Sequence, residues 1–155
     1  MEPHGKSSNI IIAEIELTYR PKISMEDRPV VNSSTQAHQL FSSSWDDGRI
    51  QLQEQFKVLL LTSSNKVLGL YECSTGGLSG TVADVRLIFA AALKARATKI
   101  MLCHNHPNGE LKPSMEDCRL TTRIKEAGCL LMISLLDHII ISAAGYFSFA
   151  DEGLL

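Results

Sequence analysis

Two short clusters hold residue types able to bind a metal ion: His104-Asn105-His106-Pro107 and, with seven residues between His106 and Ser114, Ser114-Met115-Glu116-Asp117. On an extended strand, residues two apart project to the same side, so His104 and His106 offer two imidazoles together while Asn105 faces away. Pro107 ends strand pairing, and Pro113-Ser114 has the form of a helix start with Ser114 as its N-cap. Counted from that cap, Asp117 is the third helical residue and shares a stripe with Leu120 and Ile124, the stripe expected to face a sheet. A loop that folds this helix start over the strand end therefore completes a two-histidine, one-carboxylate site. Catalytic zinc is held by three protein ligands with a fourth position left to water, whereas structural zinc is closed by four ligands, commonly with cysteines. Zinc is the expected cofactor, with His104, His106 and Asp117 as its ligands.

Each cluster alone has a plainer account. Two strand histidines can be satisfied by hydrogen bonds, and S-x-x-D can serve only to close a helix start. Joined by a loop carrying Pro107, Gly109 and Pro113, the pair points to a metal. Cys103 shares a strand face with Asn105 and is not expected to be a ligand. Asp137-His138 lies within an apolar strand, where adjacent residues face opposite sides, so at most one of them can point at the site. A buried, hydrogen-bonded structural pair is the main expectation, and support of a zinc histidine from behind is the lesser one. His4 and His38 read as isolated and exposed.

The elements that must position these residues follow from patterning. Residues 10–19 mix branched apolar residues with Glu14 and Glu16 and predict a strand. Ser33 or Ser34 caps a helix through about Trp45. The runs 56–61 and 67–71, joined by a polar turn, predict a hairpin of two central strands. Residues 74–80, with three glycines, read as a loop, after which Thr81 precedes a helix with a broad apolar face. A short buried strand over 100–103 leads to the first histidine. A third helix runs from Ser114 to a stop at Gly128. Strands are expected over 130–133 and 135–142, interrupted by Ser134 and Asp137-His138, with an edge strand over 146–149. The order is β, α, β, β, α, β, α, β: a mixed sheet packed by helices.

Composition bounds the rest. One domain is the default for 155 residues, and 45% hydrophobic with 21% charged residues excludes a disordered or fibrous class. A net charge of −2 supplies no field for binding nucleic acid, and the densest basic group, Lys94, Arg96 and Lys99, reads as a solvated helix end. No apolar run reaches the roughly 20 residues of a membrane span, and residues 1–9 are polar where a signal peptide is apolar, so a cytoplasmic location is expected. Cys73, Cys103, Cys118 and Cys129 form no C-x-x-C pair and read as buried free thiols in a reducing compartment.

The string H-N-H-P-N-G-E-L-K-P-S-M-E-D, followed by L-L-D-H-I-I-I and the closing Y-F-S-F-A-D-E-G-L-L, resembles the RadC branch of the JAB/JAMM (MPN+) metalloprotease domains. Their motif is H-x-H, a short spacer, then S-x-x-D. The resemblance runs from Leu52 to the C-terminus; residues 33–155 are read as the RadC-like JAB/MPN+ domain, with 1–32 a tail, strand and loop belonging to the same unit. It implies an α/β (α+β) fold: a mixed, curved sheet packed by three helices in the JAB/MPN architecture, which is cytidine-deaminase-like. It implies that His104, His106 and Asp117 match the zinc ligands and that Ser114 helps to hold the tetrahedral oxyanion. A glutamate early in the domain is the general base: Glu54, at the mouth of the strand that begins at Phe56, with Glu72 as the other candidate. The implied activity is zinc-dependent hydrolysis of a peptide or isopeptide bond in a peptide or protein substrate whose identity is not legible.

Three other functions compete. RadC relatives carry a DNA-repair label, but the helix-hairpin-helix module of longer relatives is not legible in these residues, so nucleic-acid binding is expected to come through a partner. A nucleoside deaminase shares the β/α plan, yet its H-x-E and P-C-x-x-C signatures are absent. A binding-only member would keep the fold without turnover. Exposed strand edges make a homodimer an expected arrangement.

Overall fold

The computed structural model describes residues 12–16, 18–76 and 82–155. Its centre is β1 (Gln55–Leu61), buried at every position, Gln55 and Lys57 included, as a strand must be when both faces of a sheet are covered. A tight turn through Asn65, at φ 61°, reverses the chain into β2 (Val67–Thr75); asparagine tolerates that left-handed conformation better than most residues. On its other side β1 pairs antiparallel with β3 (Lys99–Asn105), which pairs parallel with β4 (Ser134–Ser142), and β5 (Gly145–Ser148) closes that edge. The strand order is β2-β1-β3-β4-β5, a five-stranded mixed sheet.

Three helices among the described residues cover the sheet: α1 (Ser34–Ser43), α2 (Val85–Lys94) and α3 (Met115–Leu130). Their first turns are capped by Ser33, Asp84 and Ser114, whose side chains accept from backbone N–H groups. Strand alternation then sorts the core into two layers. Phe56, Val58, Leu60, Ile100 and Leu102 pack against Ile88 and Phe89 of α2 and Ile124 of α3. Leu59, Leu61, Met101, Cys103, Ile139 and Ile141 pack against Ala37 and Phe41 of α1, with Trp45 beyond it. Continuing the even-numbered face of β3 past Leu102 delivers His104 to the α2–α3 side.

Several expected boundaries shift. Residues 12–16 and 18–20 form no strand, and Ile12 and Ile15 are 84% and 85% exposed; residues 10, 11 and 17 lie outside the described residues. The reason lies at the sheet edge. Arg28 Nη1 donates to the carbonyls of Val67 and Leu68, and Tyr19 Oη also donates to Leu68, so side chains occupy acceptors a pairing strand would use. The expected strand over 130–133 is also absent. α3 runs through Gly128 to Leu130, and a turn with Met132 at φ 58° leads into one uninterrupted β4 that contains Ser134, Asp137 and His138. Gly128 is a notch rather than a stop, because a Cβ there would lie 2.3 Å from the carbonyl oxygen of Ile133.

β2 continues past Tyr71, absorbing Ser74 and Thr75 from the expected loop; residues 77–81, with Thr81, lie outside the described residues. The cap of α2 is Asp84, and Val82 is 88% exposed rather than part of the apolar face. α1 stops at Ser43, short of Trp45. All four cysteines are free, but only Cys103 is buried; Cys73 is half-buried and Cys118 and Cys129 are exposed on α3. Among the described residues no helix is long and apolar enough to cross a membrane.

Candidate metal centre

His104 is the penultimate residue of β3, and His106 lies one step beyond the strand. It keeps the strand's direction because its N–H donates to the Ile141 carbonyl of β4 at 3.0 Å. The two imidazoles therefore fall on one side, with their Nε2 atoms 2.9 Å apart. The loop then turns at Gly109, at φ 87°, and brings the Glu110 carbonyl within 2.7 Å of His106 Nδ1. A carbonyl can only accept, so Nδ1 carries the proton and Nε2 presents its lone pair.

Asp117 is aimed by the cap of its own helix. Ser114 N donates to Asp117 Oδ2 at 2.7 Å, and Asp117 N donates to Ser114 Oγ at 3.1 Å. The S-x-x-D box thus closes the helix start and directs the carboxylate at once. Its Oδ1 lies 3.2 Å from His104 Nε2 and its Oδ2 3.5 Å from His106 Nε2. His104, His106 and Asp117 form the one group among the described residues whose ligand atoms lie within 4.8 Å of one another in a metal-holding arrangement. The side chain of His104 is 1% exposed, while those of His106 and Asp117 are 14% exposed, so the group is closed beneath and open on one side.

The chemistry of this group fits a tetrahedral metal. Zinc bonds of about 2.0–2.1 Å give ligand-to-ligand edges of about 3.3–3.4 Å in a tetrahedron, and the observed separations of 2.9, 3.2 and 3.5 Å bracket that value. Two nitrogens and a carboxylate oxygen with a solvent-facing side leave room for a fourth ligand. Burial works to raise the Asp117 pKa, but the imidazoles of His104 and His106 in contact with it hold its carboxyl far below the ordinary range. Contact with the Asp117 carboxylate raises the pKa of His106, and the charge of Glu54 adds to it.

Glu54 is half-buried immediately before β1. Phe56 pairs with His104 in the β1–β3 ladder, and the same register continued by two residues sets Glu54 across from His106. Asn105 secures this segment from the far face: its Oδ1 accepts from Gln55 N, and its Nδ2 donates to the carbonyls of Ile50 and Gln53. Glu72 stands elsewhere. It accepts from Gln55 Nε2 and Thr75 Oγ1 and lies 4.0 Å from Lys57 Nζ, and Lys57 pairs across from Cys103, on the face opposite His104.

Asp137 and His138 divide as strand alternation requires. Asp137 points to the α1 side and accepts from Ser148 Oγ and from the backbone N–H groups of His138 and Ala150. His138 points to the side of the His104-His106-Asp117 group, fully buried, with Nε2 2.8 Å from His104 Nδ1, the placement behind a histidine that the lesser expectation described. Its ring stacks on Phe149 with centroids 4.7 Å apart, and burial, with His104 beside it, pushes its pKa well below the usual value. Thr121, behind His138, was not singled out by the sequence. The available signal was its position four residues after Asp117 on the inward stripe. His38 is not isolated: its ring stacks on Tyr146 with centroids 4.4 Å apart. His4 lies outside the described residues.

The family described as RadC-like JAB domain matches residues 30–154. A protein of Flavobacterium johnsoniae named UPF0758 protein is 50% identical over 101 residues, covering 65% of this chain and 44% of its own length. One of the same name from Porphyromonas gingivalis is 44% identical over 147 residues, covering 94% of this chain and 63% of its own length. The chain thus spans about half to three-fifths of these relatives.

Proposed function

Because the chain belongs to the RadC-like JAB domain family, we propose that it is a zinc-dependent hydrolase of the JAMM type that cleaves a peptide or isopeptide bond. The observation that carries this reading is the convergence of His104, His106 and Asp117 on one half-open point beside Glu54. Zinc held by His104, His106 and Asp117 would supply a Lewis acid that brings the pKa of a water down toward roughly 7 and polarises the amide carbonyl. Glu54 takes the proton of the attacking water and returns it to the departing amine. Ser114 accepts at Oγ from Asp117 N, which leaves its hydroxyl hydrogen to donate to the developing oxyanion, a contribution of about 100-fold or more in rate. The substrate is a peptide or protein, and the four free cysteines accord with a reducing, cytoplasmic setting.

The test is elemental analysis of the purified protein beside His104→Ala and Asp117→Ala. Near-stoichiometric zinc in the parent and its loss from both folded variants support the site, and an amide-hydrolase screen with Glu54→Gln as control then supports the reaction. A folded parent that takes up no zinc on reconstitution sinks the hydrolase reading in favour of a binding-only or DNA-repair-associated protein. Zinc bound without turnover on any peptide or isopeptide substrate sinks the enzymatic half alone.

A further inference from the structure

Behind the metal-facing nitrogens, a single file of buried polar contacts joins the first proposed ligand to the helix of the third. His104 Nδ1 lies 2.8 Å from His138 Nε2, His138 Nδ1 lies 2.6 Å from Thr121 Oγ1, and Thr121 Oγ1 lies 2.6 Å from the carbonyl oxygen of Asp117. His138 and His104 are 0% and 1% exposed and Thr121 is 3% exposed, so water cannot reorder the protons of this file. The geometry points to Thr121 and His138 as positioning residues that lock His104 in the tautomer whose Nε2 offers a lone pair, and thereby raise the affinity of the site for a divalent cation. This rests on the metal-site reading above.

Counting the protons along this file fixes their order. The Asp117 carbonyl has none to give, so the 2.6 Å contact requires the Thr121 hydroxyl to donate to it. A hydroxyl has one hydrogen, so Thr121 must accept in its equally short contact with His138, and His138 Nδ1 must carry the proton. His138 Nε2 is then bare, and the 2.8 Å contact requires His104 Nδ1 to donate to it. His104 Nε2 is left as a lone pair directed at His106 and Asp117, the form a cation needs. The reverse order would set Thr121 Oγ1 against the Asp117 oxygen with no hydrogen between them and would put a proton on His104 Nε2, in the cation's place. The helix itself thus dictates the tautomer: the carbonyl that closes the relay belongs to the ligand Asp117.

The test is a zinc titration of metal-free protein, by competition with a chelator, on the parent, Thr121→Val and Thr121→Ser. Imidazole tautomers are read by long-range proton–nitrogen NMR, and the thermal stability of the metal-free forms is measured beside them. Valine keeps the shape and removes the hydroxyl, and zinc affinity should fall about 10- to 100-fold with His104 losing its pure Nδ1–H tautomer. Serine should restore both. Should Thr121→Val fail to fold, His138→Gln and His138→Met decide: the glutamine carbonyl accepts strongly from His104 Nδ1 and the methionine thioether only weakly, so glutamine must retain the higher affinity. Unchanged affinity in Thr121→Val, equal losses in the valine and serine variants, or methionine equalling glutamine would overturn the relay and leave the hydrolase reading intact. If the parent binds no zinc, that reading fails and the relay is judged by NMR alone: His104 protonated at Nε2 overturns it, and at Nδ1 in the parent but not in Thr121→Val supports it.

Discussion

Asp137 and His138 are adjacent in sequence and equally buried, yet they sit in opposite kinds of polar pocket. Asp137 accepts from Ser148 Oγ, Ala150 N and His138 N; the pocket is complete, and nothing in it asks for a ligand. On the other face of the same strand, His138 belongs to a chain of contacts that ends in two imidazole nitrogens and a carboxylate gathered at one point. That second pocket consists of acceptors once its tautomers are fixed, and a cluster of acceptors invites a cation. The difference teaches how a buried polar group declares itself: a balanced one holds structure, and an unbalanced one awaits a partner.

The sharpest test of this division uses the two glutamates. Glu54 is on the metal face and Glu72 on the other, so Glu54→Gln should lower amide hydrolysis by about 100- to 10,000-fold with zinc content unchanged, while Glu72→Gln leaves the rate near that of the parent. The measurement is turnover per bound zinc. Equal losses in both variants would break the assignment of chemistry to one face.

That assignment shows what the sequence could and could not supply. The two histidines two apart, the helix cap and Asp117 on the inward stripe were legible, because local rules of strand and helix set their directions. The face of Glu72 was not, since it depends on the β1–β2 ladder, which shifts register between Phe56 and Lys57. Nor was the absence of strand at 12–16 and 18–19: the pattern is strand-like, but Arg28, from outside that segment, takes acceptors at the edge a strand would need. Gly128 reads as a helix stop until Ile133 is seen against it. Thr121 reads as an ordinary helix residue until His138 arrives from the sheet. In each case the deciding neighbour comes from outside the element being read.

The balanced pocket is tested by removing its acceptor. Asp137→Ala leaves the donors of Ser148, Ala150 and His138 buried without partners, which should cost about 2–3 kcal/mol of stability with zinc affinity retained. Urea denaturation and zinc titration read the two quantities separately. A large loss of zinc affinity would show that the two faces are not independent.

Gly128→Ala tests the metal face through packing alone. The new Cβ meets the Ile133 backbone at 2.3 Å, so α3 must lift from the start of β4, at about 1–3 kcal/mol. Because α3 carries both Asp117 and Thr121, zinc affinity should fall with stability here, unlike in Asp137→Ala. Stability lost with affinity intact would mean that the far end of the helix moves without its first turns.

The smallest effect separates the charge of Asp137 from its geometry. Burial raises its pKa above the ordinary 3.8 against the hydrogen bonds from Ser148, Ala150 and His138. The folded protein therefore holds that proton more tightly than the unfolded chain. The stabilisation this brings is fully present below about pH 3.9 and is lost as the pH rises through the folded value. At neutral pH the ionised carboxylate is the less favoured form, and asparagine can replace it: Oδ1 accepts from the two backbone N–H groups and Nδ2 donates to Ser148 Oγ. Asp137→Asn should match or exceed the parent at pH 7 by less than about 1 kcal/mol, with the advantage shrinking toward pH 4 in paired denaturation curves. If Asp137→Asn instead loses as much stability as Asp137→Ala, the pocket requires the charge itself and its balance is electrostatic.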